Sequence, residues 1–173
     1  MDHNKYFILA AVCTITHIGR SVYEVLKNKK ILEPSRLSFI IVFMNMAILW
    51  ISWFALCSVD VSKINLPNSI RYFGLVLSFI GLIFFLAALL TIKTLETYEG
   101  DLIIKGIYSK IRHPMYLGFA FWSVGFPMYN EALFSFALSF LFIANILFWR
   151  HLEELELEKK FAAYRDYKKT TIF

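Results

Sequence analysis

Charge is what this chain has least of. Asp, Glu, Lys and Arg make up 18% of its 173 residues, below the roughly 25% usual in soluble domains. Proline and glycine are scarce as well, at 4 and 7 residues, which excludes a collagen-like chain. Cysteine occurs twice, at Cys13 and Cys57, each inside an apolar run. Two isolated thiols offer neither a disulfide framework nor metal-ligand spacing, and they read as small buried apolar groups. The four histidines, His3, His17, His113 and His151, are too scattered for a zinc site, so no metal is expected. No Walker loop and no Rossmann glycine pattern occurs. What is abundant is apolar surface: 58% of residues, among them 18 Phe, 9 Tyr and 4 Trp, with a mean hydropathy of +0.59. A disordered chain and an ordinary soluble enzyme are thereby excluded. The expectation is one integral membrane domain over 1–173.

Five apolar runs set the expected architecture: an all-α, polytopic bundle of five spans. Leu37–Val59 and Tyr72–Ile92 carry no charged residue over 23 and 21 positions, and about 20 such residues cross a hydrocarbon core. Met115–Asn130 and Ala132–Trp149 are uncharged over 16 and 18. Little more than Asn130-Glu131 separates them, so they read as a tight hairpin of spans four and five. Tyr6–Leu26 is the most polar span, with Thr14, Thr16, His17, Arg20 and Glu24. Arg20 and Glu24, four apart, share a helix face, and the reading is an amphipathic first helix with that face turned to the bundle or the interface.

The net charge of +5 would suggest nucleic acid in a soluble protein, but no such motif is present. Fourteen of the 18 basic residues fall in 27–36, 93–112 and 150–169. By the positive-inside rule these segments are cytoplasmic and face anionic lipid, with the N-terminus outside. The last helix is expected to leave the membrane and run on to near Lys168.

Two cytoplasmic segments hold the unusual chemistry. The first reads Gly106-Ile-Tyr108-Ser-Lys-Ile-Arg112-His113-Pro114-Met115-Tyr116-Leu-Gly118. Pro114 suits the first turn of a helix, where its missing N–H costs nothing. Arg112 and His113 then stand at a helix N-terminus, whose free N–H groups favour an anion such as a carboxylate. The second reads Arg150-His-Leu-Glu153-Glu154-Leu-Glu-Leu157; alone it is a solvated stripe of the kind that commonly follows a transmembrane helix. Together they offer Arg and His for a carboxylate, carboxylates for an amine or ribose hydroxyls, and tyrosines for a cation or flat ring. S-adenosylmethionine carries that set of groups.

At these residues the chain resembles the isoprenylcysteine carboxyl methyltransferase family of integral membrane enzymes, related to phospholipid methyltransferases. The family's Gly-x-Tyr, three residues, Arg-His-Pro-x-Tyr-x-Gly is matched from Gly106 to Gly118. Its second stretch is matched through Arg150, Glu153, Glu154, Leu157, Phe161, Tyr164 and Tyr167. Phe161-Ala162 stand where the family has Phe-Gly. The resemblance implies that 95–169 binds S-adenosylmethionine between the last two spans and the C-terminal helix, below three N-terminal spans in 1–94. It implies cofactor contacts from an extended Gly100-Asp101-Leu102-Ile103 and from Tyr108, His113, Pro114, Met115, Tyr116 and Glu154. It also implies Arg150 facing the acceptor and Arg112 as a positioning residue.

The resulting expectation is a methyltransferase acting on a lipophilic or lipidated acceptor reached from membrane lipid. A carboxylate acceptor needs no general base, being ionised near neutral pH; an amine or thiol would need one, with Glu153 or Glu154 as candidates. Alternatives are a phospholipid or small-thiol methyltransferase, an NADPH-dependent membrane reductase, and a non-catalytic protein binding lipid or a partner. Oligomeric state and acceptor identity are not readable from the chain.

Overall fold

A computed structural model describes residues 3–92 and 102–173. They form six α-helices: α1 (His3–Asn28), α2 (Arg36–Ser58), α3 (Asn68–Ile92), α4 (Pro114–Tyr129), α5 (Leu133–Lys160) and α6 (Tyr164–Thr170). A 3-10 turn, Gly106–Ser109, precedes α4. Among the described residues four helices, α1, α2, α3 and α5, are long and apolar enough to cross a membrane. The fourth expected span forms α4, whose 16 residues reach only about 24 Å at about 1.5 Å each. Large side chains such as Ile51 and Leu90 are 70% and 77% exposed, as the outer faces of a bundle surrounded by lipid require.

Local signals explain the helix starts. Ser35 and Ser38 form a reciprocal capping box at α2. Pro114 occupies the first turn of α4. The start of α5 is capped from a distance: Asp60, fully buried after α2, accepts from Ser135 N at 2.7 Å and Ser135 Oγ at 2.6 Å. The loop around Asp60 is pinned to the α4–α5 turn. Ser62 O accepts from Leu133 N at 3.0 Å, and Ile64 N donates to Glu131 O at 3.0 Å. Lys63 Nζ donates to Asn130 O at 3.0 Å.

Two different kinds of seam hold the helices. α3 and α4 pack backbone to backbone: a Cβ added at Gly118 would lie 2.5 Å from Gly81 O, and one at Gly74 would lie 2.6 Å from Gly125 O. Small residues permit this approach, and lipid offers no hydrophobic force to replace it. The space that Gly118 clears is therefore filled by α3. α1, α2 and α5 are joined instead by half-buried polar contacts. Asn45 Nδ2 donates to Thr16 O at 3.0 Å, Trp149 Nε1 to Ser21 Oγ at 2.8 Å, and Ser21 Oγ to Asn145 Oδ1 at 2.8 Å. Cys13 and Cys57 are both buried as free thiols.

One expectation is corrected. The last long helix does not run to Lys168; it stops at Lys160, and Phe161–Ala163 break it before α6. The break lets Tyr164 turn inward to 1% exposure. It also brings Lys168 Nζ to 2.8 Å from Glu154 Oε2. A straight helix would hold those residues about 21 Å apart, at about 1.5 Å per residue.

Candidate functional site

The turn before α4 builds the site. Gly106 takes φ +59 and lies against Thr91, where a Cβ would come within 2.8 Å of Thr91 Oγ1. That contact seats the 3-10 turn on the end of α3 and carries Tyr108 into the interior. Four residues on, Arg112 and His113 stand at the mouth of α4, with His113 as N-cap and Pro114 fully buried behind it.

Glu154, from α5, is the centre of a charge network that these residues meet. Its Oε1 lies 3.3 Å from Arg112 Nε, 3.4 Å from His113 Nε2 and 3.7 Å from Arg150 Nε. Its Oε2 holds Lys168. The neighbouring Glu153 Oε2 is 3.7 Å from His113 Nδ1. A carboxylate 5% exposed needs such partners, because an unpaired buried charge is costly. Arg112 does a second job: its Nη1 donates to Lys168 O at 3.0 Å and to Thr171 O at 2.6 Å. Backbone bonds join Arg112 N to Ile172 O and Ile172 N to Lys110 O. Tyr167 Oη donates to Tyr108 O at 2.5 Å. The C-terminal segment is thus tied across the α4 turn.

Outside the membrane-spanning helices several groups are shifted, Tyr108, Tyr164 and Lys168 among them. Burial pushes the Tyr108 and Tyr164 hydroxyls above the ordinary tyrosine range, so both stay neutral hydrogen-bonding groups. The hydrogen bond to Glu154 raises the Lys168 ammonium.

Beside the network lies a cavity of about 610 Å³, within the range of small-molecule sites. Tyr108, Arg112, His113, Met115, Tyr116 and Ile103 all line it, as does Glu153. Its remaining wall comes from helices without an expected role: Arg20 and Glu24 of α1, Phe39, Phe43, Met46 and Trp50 of α2, and Phe85, Leu89 and Ile92 of α3. The cavity therefore lies among α1, α2, α3 and α4, with α5 contributing Glu153, and not between the last two spans and the C-terminal helix. The division into 1–94 and 95–169 is crossed by it.

The other expected site residues fall elsewhere. Glu154 and Pro114 sit behind the wall, buried. Arg150 is at the edge of the network, its guanidinium 4.7 Å from the centre of the Phe173 ring. Leu102 lines a separate surface groove with Ser109 and Tyr167. Gly100 and Asp101 lie outside the described residues. Among the described residues no group of three or more His, Cys, Asp or Glu is placed to hold a metal ion.

Arg20 and Glu24, which the sequence reading set on the bundle- or interface-facing side of the first helix without a site role, line this cavity. They form an ion pair with Glu24 only 1% exposed, and Lys27 Nζ joins Glu24 at 3.1 Å. The available signal was their position, inside a membrane span, where ionisable residues are expensive and tend to serve a function.

The cavity can hold a molecule with a charged, flat or hydroxylated part at the Arg112 end and an apolar part against α2 and α3. In comparison with known proteins, the model of a family described as NnrU protein matches residues 6–171. No curated protein and no solved structure matches the chain.

Proposed function

The chain belongs to the NnrU protein family, and we propose that it is an integral membrane methyltransferase using S-adenosylmethionine and a lipophilic acceptor. In this reading α4 is a fifth, short span, the N-terminus is outside, and the Arg112–Glu154 end is cytoplasmic. The observation that carries the proposal is one cavity that gathers Tyr108, Arg112, His113, Met115 and Tyr116 and continues into an apolar chamber.

The donor set suits the cofactor. Arg112 and His113 would take its carboxylate, Glu153 its ammonium or ribose hydroxyls, and Tyr108 and Tyr116 its flat ring. Bound S-adenosylmethionine supplies a methyl group on a sulfonium, already a good leaving group. What remains for the protein is to align the acceptor and exclude water. Glu154 keeps Arg112 and His113 in place as a positioning residue, and Arg150 stands at the rim of that network. An ionised carboxylate acceptor leaves no proton for the chain to remove. An amine or thiol acceptor would hand its proton to Glu153.

The apolar chamber supports an acceptor arriving from the bilayer. α2 and α3 scarcely touch each other. Phe39, Met46, Phe85 and Leu89 line the cavity from either side of that gap and are half-buried. Such a site predicts poor turnover of purely water-soluble acceptors.

The test is calorimetric binding of S-adenosylmethionine to the purified protein in detergent, beside Glu153→Gln and Glu154→Gln. Binding in the wild type that weakens about tenfold or more in each variant supports the reading, since a hydrogen bond to a charged group is worth about 1.5–3 kcal/mol. Absence of binding in folded protein would remove it. Binding of NADPH in its place would make the chain a membrane reductase.

A further inference from the structure

The polar end of the chamber is closed to water. Tyr108, His113 and Tyr116 are buried, and the Arg112 side chain is 9% exposed. The lipid side is open by comparison: Phe43, on the α2 wall, is 50% exposed. A charged solute cannot use that side, because an ionised group in hydrocarbon is expensive. A water-borne ligand for Arg112 and His113 therefore needs something at the polar end to move.

At that end the wall is one residue thick. The residues that face the chamber carry the C-terminal segment, 164–173, on their outer side. Tyr167 Oη donates to Tyr108 O, and Tyr164 Oη lies 3.4 Å from His113 Nε2. Arg112 gives Nη1 to Lys168 O and Thr171 O, and its backbone N–H to Ile172 O at 3.1 Å. Phe173 packs, as Met115 does, against the cluster that holds Tyr116 and Trp149. The segment itself is weakly anchored. Its helix has seven residues, Tyr164 alone among 164–173 is buried, and most of its other ties are polar. It leaves α5 at Phe161, where the backbone turns extended (φ −123, ψ 111). Segments with few buried apolar contacts and exposed hydrogen bonds open locally at low cost. The glycine seam between α3 and α4 offers no such freedom.

We propose that the C-terminal segment is a latch on a water-side door into the chamber. When it swings out on Phe161–Ala163, Tyr108, Arg112 and His113 lose their outer partners and the wall between them parts. That door admits the charged, water-borne ligand, and the gap between α2 and α3 serves the apolar one. Lys168 is the catch: its ion pair with Glu154 holds the segment down without lining the chamber. This inference rests on the reading of the Arg112 end as the cofactor's place and names the cofactor's route. Its test needs neither cofactor nor methyl transfer.

The experiment follows thiol labelling of the full chain in lipid nanodiscs, read site by site by mass spectrometry. Met115→Cys reports on the polar end of the chamber and Met46→Cys on the α2 wall. Two reagents are compared: a water-soluble methanethiosulfonate with a fixed ammonium charge, and an uncharged, lipid-soluble maleimide. Cys13 and Cys57, both fully buried, are internal checks that the bundle stays folded. Tyr167→Phe with Lys168→Ala loosens the segment without altering the chamber, because neither residue lines it. The charged reagent should label Met115→Cys about tenfold or more faster in that double variant, as two lost hydrogen bonds shift an opening equilibrium. The maleimide should label Met46→Cys at an unchanged rate. An unchanged rate for the charged reagent at Met115→Cys would overturn the proposal. So would labelling there, with the segment intact, as fast as at Lys169→Cys, a site 75% exposed. Should the double variant expose Cys13 or Cys57, the single variants decide by the same comparison. A measurement on the wild type stands apart from all of them. The Ile172 amide, which donates to Lys110 O, should exchange with deuterium about tenfold or more faster than the Phe119 amide within α4. Equal or slower exchange would overturn the latch. Loss of S-adenosylmethionine binding would sink the methyltransferase reading and leave the latch standing, and a segment that never opens would leave the cofactor site standing with another entrance.

Discussion

Gly118 and Gly81 meet backbone to backbone across the α3–α4 seam, so closely that a methyl group on either would lie 2.5–2.6 Å from the other's carbonyl oxygen. Neither neighbour can yield, because both atoms belong to helix backbone. Gly118→Ala should therefore destabilise the protein by about 1–3 kcal/mol, the cost of overpacking. Gly19→Ala is the control: its Cβ would meet only the Asn45 side chain, at 3.3 Å. Thermal unfolding in detergent should show a clear loss for the first and a small shift for the second. Equal midpoints would mean that the seam is looser than this contact.

Asp60 caps a helix that begins more than 70 residues later. Asp60→Ala should cost about 0.5–2 kcal/mol, the range for a lost N-cap. Asp166→Ala should leave stability essentially unchanged, because Asp166 and its partner Lys169 are both exposed and solvent screens the pair. Chemical denaturation of the two variants side by side decides it. A larger effect at Asp166 would contradict the assignment.

Glu154→Gln should loosen the C-terminal segment before it loosens the membrane bundle. Arg112 and Lys168 would lose their shared anion, leaving the 164–173 segment held by the remaining backbone and side-chain bonds. Limited trypsin digestion should cut faster after Arg165, Lys168 and Lys169 in the variant. Unchanged cleavage would show that Arg112's bonds to Lys168 O and Thr171 O suffice alone.

The same end of the molecule should be sensitive to alkali. Tyr164 stays protonated in the fold above its ordinary pKa because it is buried, and Lys168 does so because Glu154 holds it. For both, the unfolded chain gives up its proton first, near pH 10. Their stabilising contribution is thus complete below about pH 10 and is lost as pH rises through the raised folded values. Midpoints measured from pH 7 to 11 should hold and then fall, and Tyr164→Phe should flatten the fall. The Lys168 part should shrink in high salt, since that side chain is 39% exposed. A protein indifferent to alkali in this range would refute the buried state of Tyr164.

Runs of apolar residues made the long helices legible, and Pro114 after Arg112-His113 made the start of α4 legible. Tyr108, His113, Met115 and Tyr116 were chosen from one short segment, and one turn on a single helix end keeps them together. What lay beyond reach was set by tertiary contact. Arg20 and Glu24 look the same in sequence whether their shared face meets lipid head groups or lines a chamber. The paired glycines, seven apart on both α3 and α4, are visible as a period, but nothing local says that they face one another. The stop at Lys160 carries no proline or glycine. It follows from Tyr164 turning back to His113 and Lys168 to Glu154, a preference that only the folded network creates.

The inequality of the seams has a mechanical consequence. Glycine contact locks α3 to α4, polar contacts lock α1, α2 and α5 together, and the loop around Asp60 staples both units at the end remote from Arg112. The bundle is in effect a clothes-peg with its spring at that staple and its jaws at the cavity. Strain applied by a bulky guest is relieved most cheaply where α2 and α3 already stand apart. A crosslink between cysteines introduced at Val42 and Leu89 would clamp the jaws and should exclude a long-chain probe, while leaving thermal stability unchanged or improved.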